Sequence, residues 1–348
     1  MALSATVIRR VIAASAVTAA VTIAPILSAI AQTVSLTGAG ATFPVPLYDK
    51  YINEFKKENP GINVSYQGIG SGAGIRQVIA EVVQFGGSDA AMTDAEIAKV
   101  PSSRGGIILV PTAGGAVSVV YNLPGVSNLK LSKAVLPEIF AGRITRWNDG
   151  RIAKDNPGVN LPNSEIKTVV RADGSGTTFI FTNHLSAINP YFKGRVGVGT
   201  APKWTTNSIK GRGNPGVAQQ VSRTEGSIGY VEYAYADQNK LQMASVQNKK
   251  GEFVAPSLDS ANAALKSVRL PENNRIFIGD PEDGYPIVGL TWMMIYKQYP
   301  KPEEAAAIKK WVGWVLTKGQ DLNDDLKYTS IPQSDRQRII DTVNREVK

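Results

Sequence analysis

Cysteine is absent from the 348 residues, and histidine occurs once, at position 184. The first absence excludes disulfides, a thiol nucleophile and a lipid attached through an N-terminal cysteine, so stability must come from a packed core. The second leaves any zinc or dinuclear metal centre to be built from carboxylates alone, and no clustered Asp/Glu pattern suggests one. No G-x-x-x-x-G-K-[ST] segment occurs, which removes a nucleotide P-loop. Long basic blocks are also missing: lysine and arginine are interspersed with aspartate and glutamate, so the net charge of +9 does not read as a nucleic-acid footprint. What is present is a 43% hydrophobic chain, long enough for about two domains.

Arg9 and Arg10 precede an uncharged run from Val11 to Ala31, and Ala29-Ile30-Ala31 supplies the small-x-small pattern read by signal peptidase. Residues 1–31 are therefore expected to be a signal peptide cleaved after about Ala31. Ala, Ser and Thr dilute the run and Pro25 interrupts it, which favours release over a retained anchor. Ile8 and Val11 flank the arginine pair without polar context, favouring ordinary secretion over twin-arginine export. Loss of the two arginines lowers the charge to about +7.

The following segments repeat a grammar of short apolar strand, Gly-rich turn and amphipathic helix, which is α/β. Val34–Thr37 reads as a strand, Gly38–Gly40 as its turn and Thr42 as the cap of a helix with Pro44 and Pro46 in its first turn. Tyr48, Ile52 and Phe55 mark the buried stripe of that helix. Ile62–Tyr66 reads as the next strand, and Gly68 to Gly74 opens a second helix with Val78, Ile79, Val82 and Val83 on its core face. Gly86-Gly87-Ser88-Asp89 reads as a third polar turn. Gly68, Gly70 and Ala73 fit the dinucleotide form G-x-G-x-x-A, with Asp89 downstream, but the match lies on the second strand and is one of several similar junctions, so no nucleotide cofactor is expected.

Several Gly-rich helix starts suit a small oxyanion. Each exposes unpaired N–H groups at the positive end of a helix dipole, and glycine lets the backbone come close. Thr42, Ser71, Ser175 and Thr177 could add hydroxyl donors; taken singly, each could equally be a helix cap. The segment Arg171-Ala172-Asp173-Gly174-Ser175-Gly176-Thr177 lies between a strand ending at Val170 and a helix beginning near Phe179. Arg171 offers a planar charged fork, and Asp173 is either its orienting partner or an ordinary turn aspartate.

These residues carry a resemblance. Leu36–Pro44, Tyr66–Ser71, Phe85–Ala90 and Arg171–Thr177, with Gly142–Trp147 and Ile228–Ala236, make the chain similar to the phosphate-binding proteins of high-affinity bacterial phosphate ABC transporters, the PstS family. The resemblance implies a type II periplasmic-binding-protein fold, α/β, with two lobes and a ligand cleft between them. It implies phosphate contacts from Thr42, the Phe43 backbone N–H, Ser71, Asp89, Arg171, Ser175, the Gly176 backbone N–H and Thr177, with Asp173 orienting Arg171. Gly72 and Val170 depart from a second Ser and a second Arg that some members carry. Also implied are a periplasmic location, no cofactor or metal, no nucleic-acid partner, a membrane permease as the recipient of phosphate, and a working monomer that is not an enzyme.

Asp89 would then select among anions. A P–OH can donate to a carboxylate, whereas fully ionised sulfate has no proton to give and meets repulsion of several kcal/mol at intermediate dielectric. The rival reading is a secreted phosphatase or other hydrolase with Ser175 as nucleophile. His184 lies nine residues further along the same helix, on the opposite face, so the two form no nucleophile–base pair.

Ile107–Val110 and Val117–Tyr121 read as strands separated by Pro111–Gly115, a first crossing between lobes, with a second near Pro286–Gly289. Residues 32–113 with 288–348 are expected to form lobe I and 114–287 lobe II. Ile308, Trp311, Val312 and Val315 mark a late helix ended by Lys318 and Gly319, its tryptophans read as packing groups rather than a sugar platform.

Overall fold

The computed structural model describes residues 33–348, so the expected signal peptide, 1–31, lies outside the described residues. In chain order the first elements are β1 (Val34–Gly40), α1 (Val45–Glu58), β2 (Ile62–Gly68), α2 (Ser71–Ile79), β3 (Phe85–Ser88), α3 (Asp94–Ile97), β4 (Ile107–Asn122), β5 (Lys130–Leu131), α4 (Leu136–Phe140) and α5 (Gly150–Asp155). Then come β6 (Lys167–Arg171), α6 (Gly176–Ile188), α7 (Pro190–Arg195), β7 (Ile209–Gly211), α8 (Gly213–Arg223), β8 (Ser227–Glu232) and α9 (Tyr233–Gln238). The last are β9 (Gln242–Met243), β10 (Ser245–Gln247), β11 (Phe253–Val254), α10 (Leu258–Leu265), β12 (Val288–Tyr296), α11 (Pro302–Val315) and α12 (Gln333–Glu346).

The main sheet runs β2-β1-β3-β12-β4-β8-β6-β7, with β9 also on β4. Two parallel groups, β2-β1-β3 and β8-β6-β7, are joined through the antiparallel pair β12 and β4. β4 belongs to both: Ile107–Ala116 pairs with β12, and Val117–Asn122 pairs with β8. Pro111–Gly115 therefore does not divide two strands. Pro111 has no N–H for the ladder, and the register slips there, leaving Thr112 as an extra residue between Pro111 and Ala113. The Thr112 carbonyl is satisfied by Gln320 Nε2 at 2.8 Å.

Two glycine clusters read as turns are strand ends. Gly38–Gly40 closes β1, and Gly86–Ser88 lies in β3. Their bareness serves close packing. A Cβ on Gly74 of α2 would stand 2.6 Å from Gly40 Cα and 2.8 Å from the Gly87 carbonyl oxygen. Only glycine lets the helix settle on the sheet. α2 ends at Ile79; Val78 and Val83 are buried, whereas Val82 faces outward. On α1 the buried residues include Tyr51 alongside Tyr48 and Phe55. Tyr51 and Phe55 meet Trp311 and Trp314 of α11 edge-on, with the nearest centroids 5.0 Å apart and the farthest 6.5 Å. Both tryptophans are therefore packing groups. The consequence for function is placement: the C-terminal ends of β1, β3 and β6, and the helices that follow them, converge on one place.

Candidate functional site

β6 ends in Arg171, whose side chain is only 2% exposed. Its Nε donates to Asp173 Oδ1 at 2.9 Å and its Nη2 to Oδ2 at 2.5 Å. This two-pronged pairing fixes the guanidinium plane. Nη1 reaches Thr177 Oγ1 at 3.4 Å. Asp173 is thus the orienting partner rather than a free turn aspartate. Burial pushes its carboxyl up, but Arg171 and the Gly213 N–H outweigh that and hold it below its usual range. α6 begins immediately after, and buried Ser175 caps it by accepting the Thr178 N–H at 3.0 Å.

The facing wall holds Thr42, Phe43, Ser71 and Asp89, all buried. Thr42 does not cap α1: the N-cap is Pro44, and the Thr42 hydroxyl oxygen instead accepts from Asn214 N at 3.1 Å and Asn214 Nδ2 at 3.0 Å. The Phe43 carbonyl takes the Tyr328 hydroxyl at 2.7 Å, while its N–H has no partner among the described residues. Ser71 opens α2, and its oxygen accepts Asp89 N at 3.2 Å and, from the opposite wall, Gly176 N at 3.0 Å. A Cβ on Gly176 would come within 2.6 Å of Asp89 Oδ2 and 2.5 Å of Ser71 Oγ, so α6 starts hard against both.

The walls touch elsewhere too. Gly72 N donates to the Gly174 carbonyl at 2.9 Å, and Gly70 packs beneath Asp173. Gly70 has φ +91°, and a Cβ there would lie 2.2 Å from Asp173 Oδ2. Conformation and space both require glycine. A serine at Gly72 would bring its Cβ within 3.3 Å of Gly174 Cα, so the departure noted in the sequence goes with a close backbone approach.

Asp89 is the exception in a donor-rich place. Its Oδ1 accepts the Thr291 hydroxyl at 2.8 Å, and its Oδ2 is buried with no hydrogen-bond partner among the described residues. Burial raises its carboxyl to about 7, opposed by Thr291, Arg171 and Thr177. The structure therefore brings together Thr42, Phe43, Ser71, Asp89, Arg171, Asp173, Ser175, Gly176 and Thr177. Sequence reasoning missed Asn214 and Thr291. Asn214 had a signal, since Ile209–Gly211 followed by Gly213-Asn214-Pro215-Gly216 is another short strand and Gly-rich helix start. Thr291 had none, sitting inside the apolar strand β12.

His184 lies in α6, fully buried, with Nδ1 at 2.7 Å from the Gly279 carbonyl; burial lowers its pKa to about 4. Among the described residues no group of three or more His, Asp or Glu is placed to hold a metal ion. Chemically the arrangement is a buried cradle of hydroxyl, amide and guanidinium donors with one carboxyl oxygen left over.

A family model described as a PBP superfamily domain matches residues 27–318. The chain is 40% identical over 325 residues to the phosphate-binding protein PstS of Pasteurella multocida, covering 91% of this chain and 92% of that one. It is 36% identical over 311 residues to the protein of the same name from Methanocaldococcus jannaschii, covering 83% and 80%. Among solved structures, a high affinity periplasmic phosphate-binding protein (PfluDING) bound with phosphate superposes with a TM-score of 0.71 at 21% identity, covering 89% of this chain and 93% of that one. A phosphate-binding protein from Stenotrophomonas maltophilia gives 0.71 at 21% identity, over 88% and 93%. The solved structures share the fold, two α/β lobes with a cleft.

Proposed function

We propose that the chain captures inorganic phosphate, a reading that starts from its membership: it belongs to the PstS phosphate-binding protein family, within the PBP superfamily. The observation that carries the reading is the state of four hydroxyls. Thr42, Ser71, Ser175 and Thr177 each accept N–H hydrogen bonds through oxygen, and among the described residues none donates at hydrogen-bond distance to a protein acceptor. A hydroxyl that accepts without donating keeps its hydrogen for a ligand. Four such hydrogens, the Phe43 N–H and the remaining N–H groups of Arg171 suit a tetrahedral oxyanion, placed at the starts of α1, α2 and α6 where helix dipoles favour negative charge.

In this reading Thr42, Phe43 N, Ser71, Arg171, Ser175, Gly176 N and Thr177 donate to phosphate, and Asp173 orients Arg171. The Gly176 N–H bonds Ser71, so it reaches the anion by exchanging that partner. Asp89 Oδ2, buried without a donor, accepts a hydrogen bond from the P–OH, which fully ionised sulfate cannot offer.

Hydrolysis is the weaker reading. Ser175 is a buried helix cap, and His184, the only histidine, is held by Gly279. The chain acts as a monomeric carrier in the periplasm, with residues 32–113 and 288–348 as one lobe and 114–287 as the other, and passes phosphate to the permease of an ABC transporter. Among the described residues no helix is long and apolar enough to cross a membrane.

Equilibrium dialysis of radiolabelled phosphate against protein stripped of ligand by reversible unfolding tests capture, and incubation with a chromogenic phosphate ester tests hydrolysis. Saturable binding without release of product is expected. Release of product, or no binding, contradicts the reading.

A further inference from the structure

Asn214 lies at the second position of α8, fully buried, and its side chain contacts residues far apart in the chain. Its Oδ1 accepts the Glu232 backbone N–H at 3.0 Å. An amide N–H only donates, so the atom facing it must be the oxygen, and this settles the orientation of the side-chain amide. Nδ2 then faces the other way, 3.0 Å from Thr42 Oγ1 and 3.2 Å from Thr177 Oγ1, with one hydrogen for each. An NH2 group cannot accept, so both hydroxyl oxygens must. Thr42 accepts a second time from Asn214 N, and Thr177 from Arg171 Nη1. Both hydroxyl hydrogens are thereby turned away from Asn214.

We infer that Asn214 is a positioning residue that fixes two hydroxyls from opposite walls, Thr42 and Thr177, as hydrogen-bond donors to the bound oxyanion. The inference rests on the phosphate reading of the site. It assigns no contact between Asn214 and the ligand. Its role is to hold two donors in the required sense before the ligand arrives, so that binding need not reorient them. The chain from Glu232 N–H through Asn214 to the two threonines also ties the end of β8 to both walls of the cleft.

Asn214→Asp reverses the polarity of the group that faces the two hydroxyls. A carboxylate still accepts the Glu232 N–H and is favourable near a helix N-terminus, so folding is expected to persist. It accepts where the amide donated, however, and draws both hydroxyl hydrogens toward itself. Calorimetry at pH 8 should show phosphate affinity lower by at least about 100-fold in Asn214→Asp, with two donors reversed and a charge added, and by about 10-fold in Asn214→Ala. The ligand-free aspartate variant should melt lower than wild type, by the cost of a buried carboxylate, and remain folded by circular dichroism at the temperature of the calorimetry.

A double-mutant cycle separates positioning from bulk. Thr42→Val should weaken binding by about 10-fold in the wild type, but by no more than about threefold in the Asn214→Ala background, where the hydroxyl is no longer held. Independent, multiplicative losses, or affinities within about threefold of wild type for both Asn214 variants, would overturn the inference while phosphate binding by the wild type stands. Failure of the wild type to bind phosphate would instead overturn the phosphate reading, and this inference with it.

Discussion

The two walls of the cleft carry one aspartate each, and their surroundings drive them in opposite directions. Asp173 is held below its usual range despite partial burial, because Arg171 and the Gly213 N–H stabilise the carboxylate. Asp89, deeper, has one hydroxyl partner on Oδ1 and none on Oδ2, and is raised to about 7. The same side chain thus serves as a fixed charge on one wall and as a group able to exchange a proton near neutrality on the other. In the proposed function the first wall supplies affinity for an oxyanion and the second the choice among oxyanions.

The largest expected effect is on ligand-free stability as pH changes. An unfolded Asp89 loses its proton near pH 4 and the folded one near 7, so between these values the folded state binds more protons, and raising the pH favours unfolding. The stability present below pH 4 is lost by pH 7, by up to about 4 kcal/mol for three pH units. Glu232, raised to about 8 chiefly by burial and in part by the Asp89 charge, contributes with the same sign, so the difference between wild type and Asp89→Asn reports Asp89 together with the part of the Glu232 shift that Asp89 causes. Denaturant melts at pH 4 and pH 8 should show a gap in favour of Asp89→Asn that opens only at the higher pH. The same pair of melts on Asp173→Asn should show the opposite sign, since its depressed carboxyl stabilises the fold above its unfolded pKa and loses that contribution in acid.

Removing the charge from the first wall comes next. Arg171→Ala should weaken phosphate binding by at least about 1.5 kcal/mol in calorimetry, through loss of a charge-assisted hydrogen bond. Gly70→Ala attacks the contact between walls without touching a donor, through a strained φ and a clash with Asp173. Its expected cost is about 1 kcal/mol of phosphate affinity, read in the same calorimetry. Smallest is Thr291→Val, which removes the hydroxyl bonded to Asp89 Oδ1. The pH midpoint of the Asp89 carboxyl resonance in NMR titration should move higher by about one pH unit.

The legible parts of the site were those written in consecutive residues. The Arg171–Thr177 segment is local and was legible as a junction between strand and helix, but the helix begins at Gly176 rather than near Phe179, because Ser175 caps it, so Gly176 and Thr177 lie in its first turn. Glycine misled in two places: Gly38–Gly40 and Gly86–Ser88 resemble turns by composition, yet in β1 and β3 they are bare because helix and neighbouring strand pack against them. Pro111–Gly115 misled likewise, since a bulge absorbs the proline inside a strand shared by both parallel groups. The contacts that set donor direction were not legible. Asn214 lies 172 positions from Thr42, and Thr291 lies 202 from Asp89; only the sheet order brings them together.

Selection by Asp89 divides the two walls, and titration of phosphate and of sulfate into ligand-free wild type and Asp89→Asn at pH 8, where the wild-type carboxyl is ionised, tests it directly. Wild type should bind phosphate and exclude sulfate, and the variant should narrow the ratio by weakening phosphate and admitting sulfate. Equal discrimination by the two proteins would contradict it.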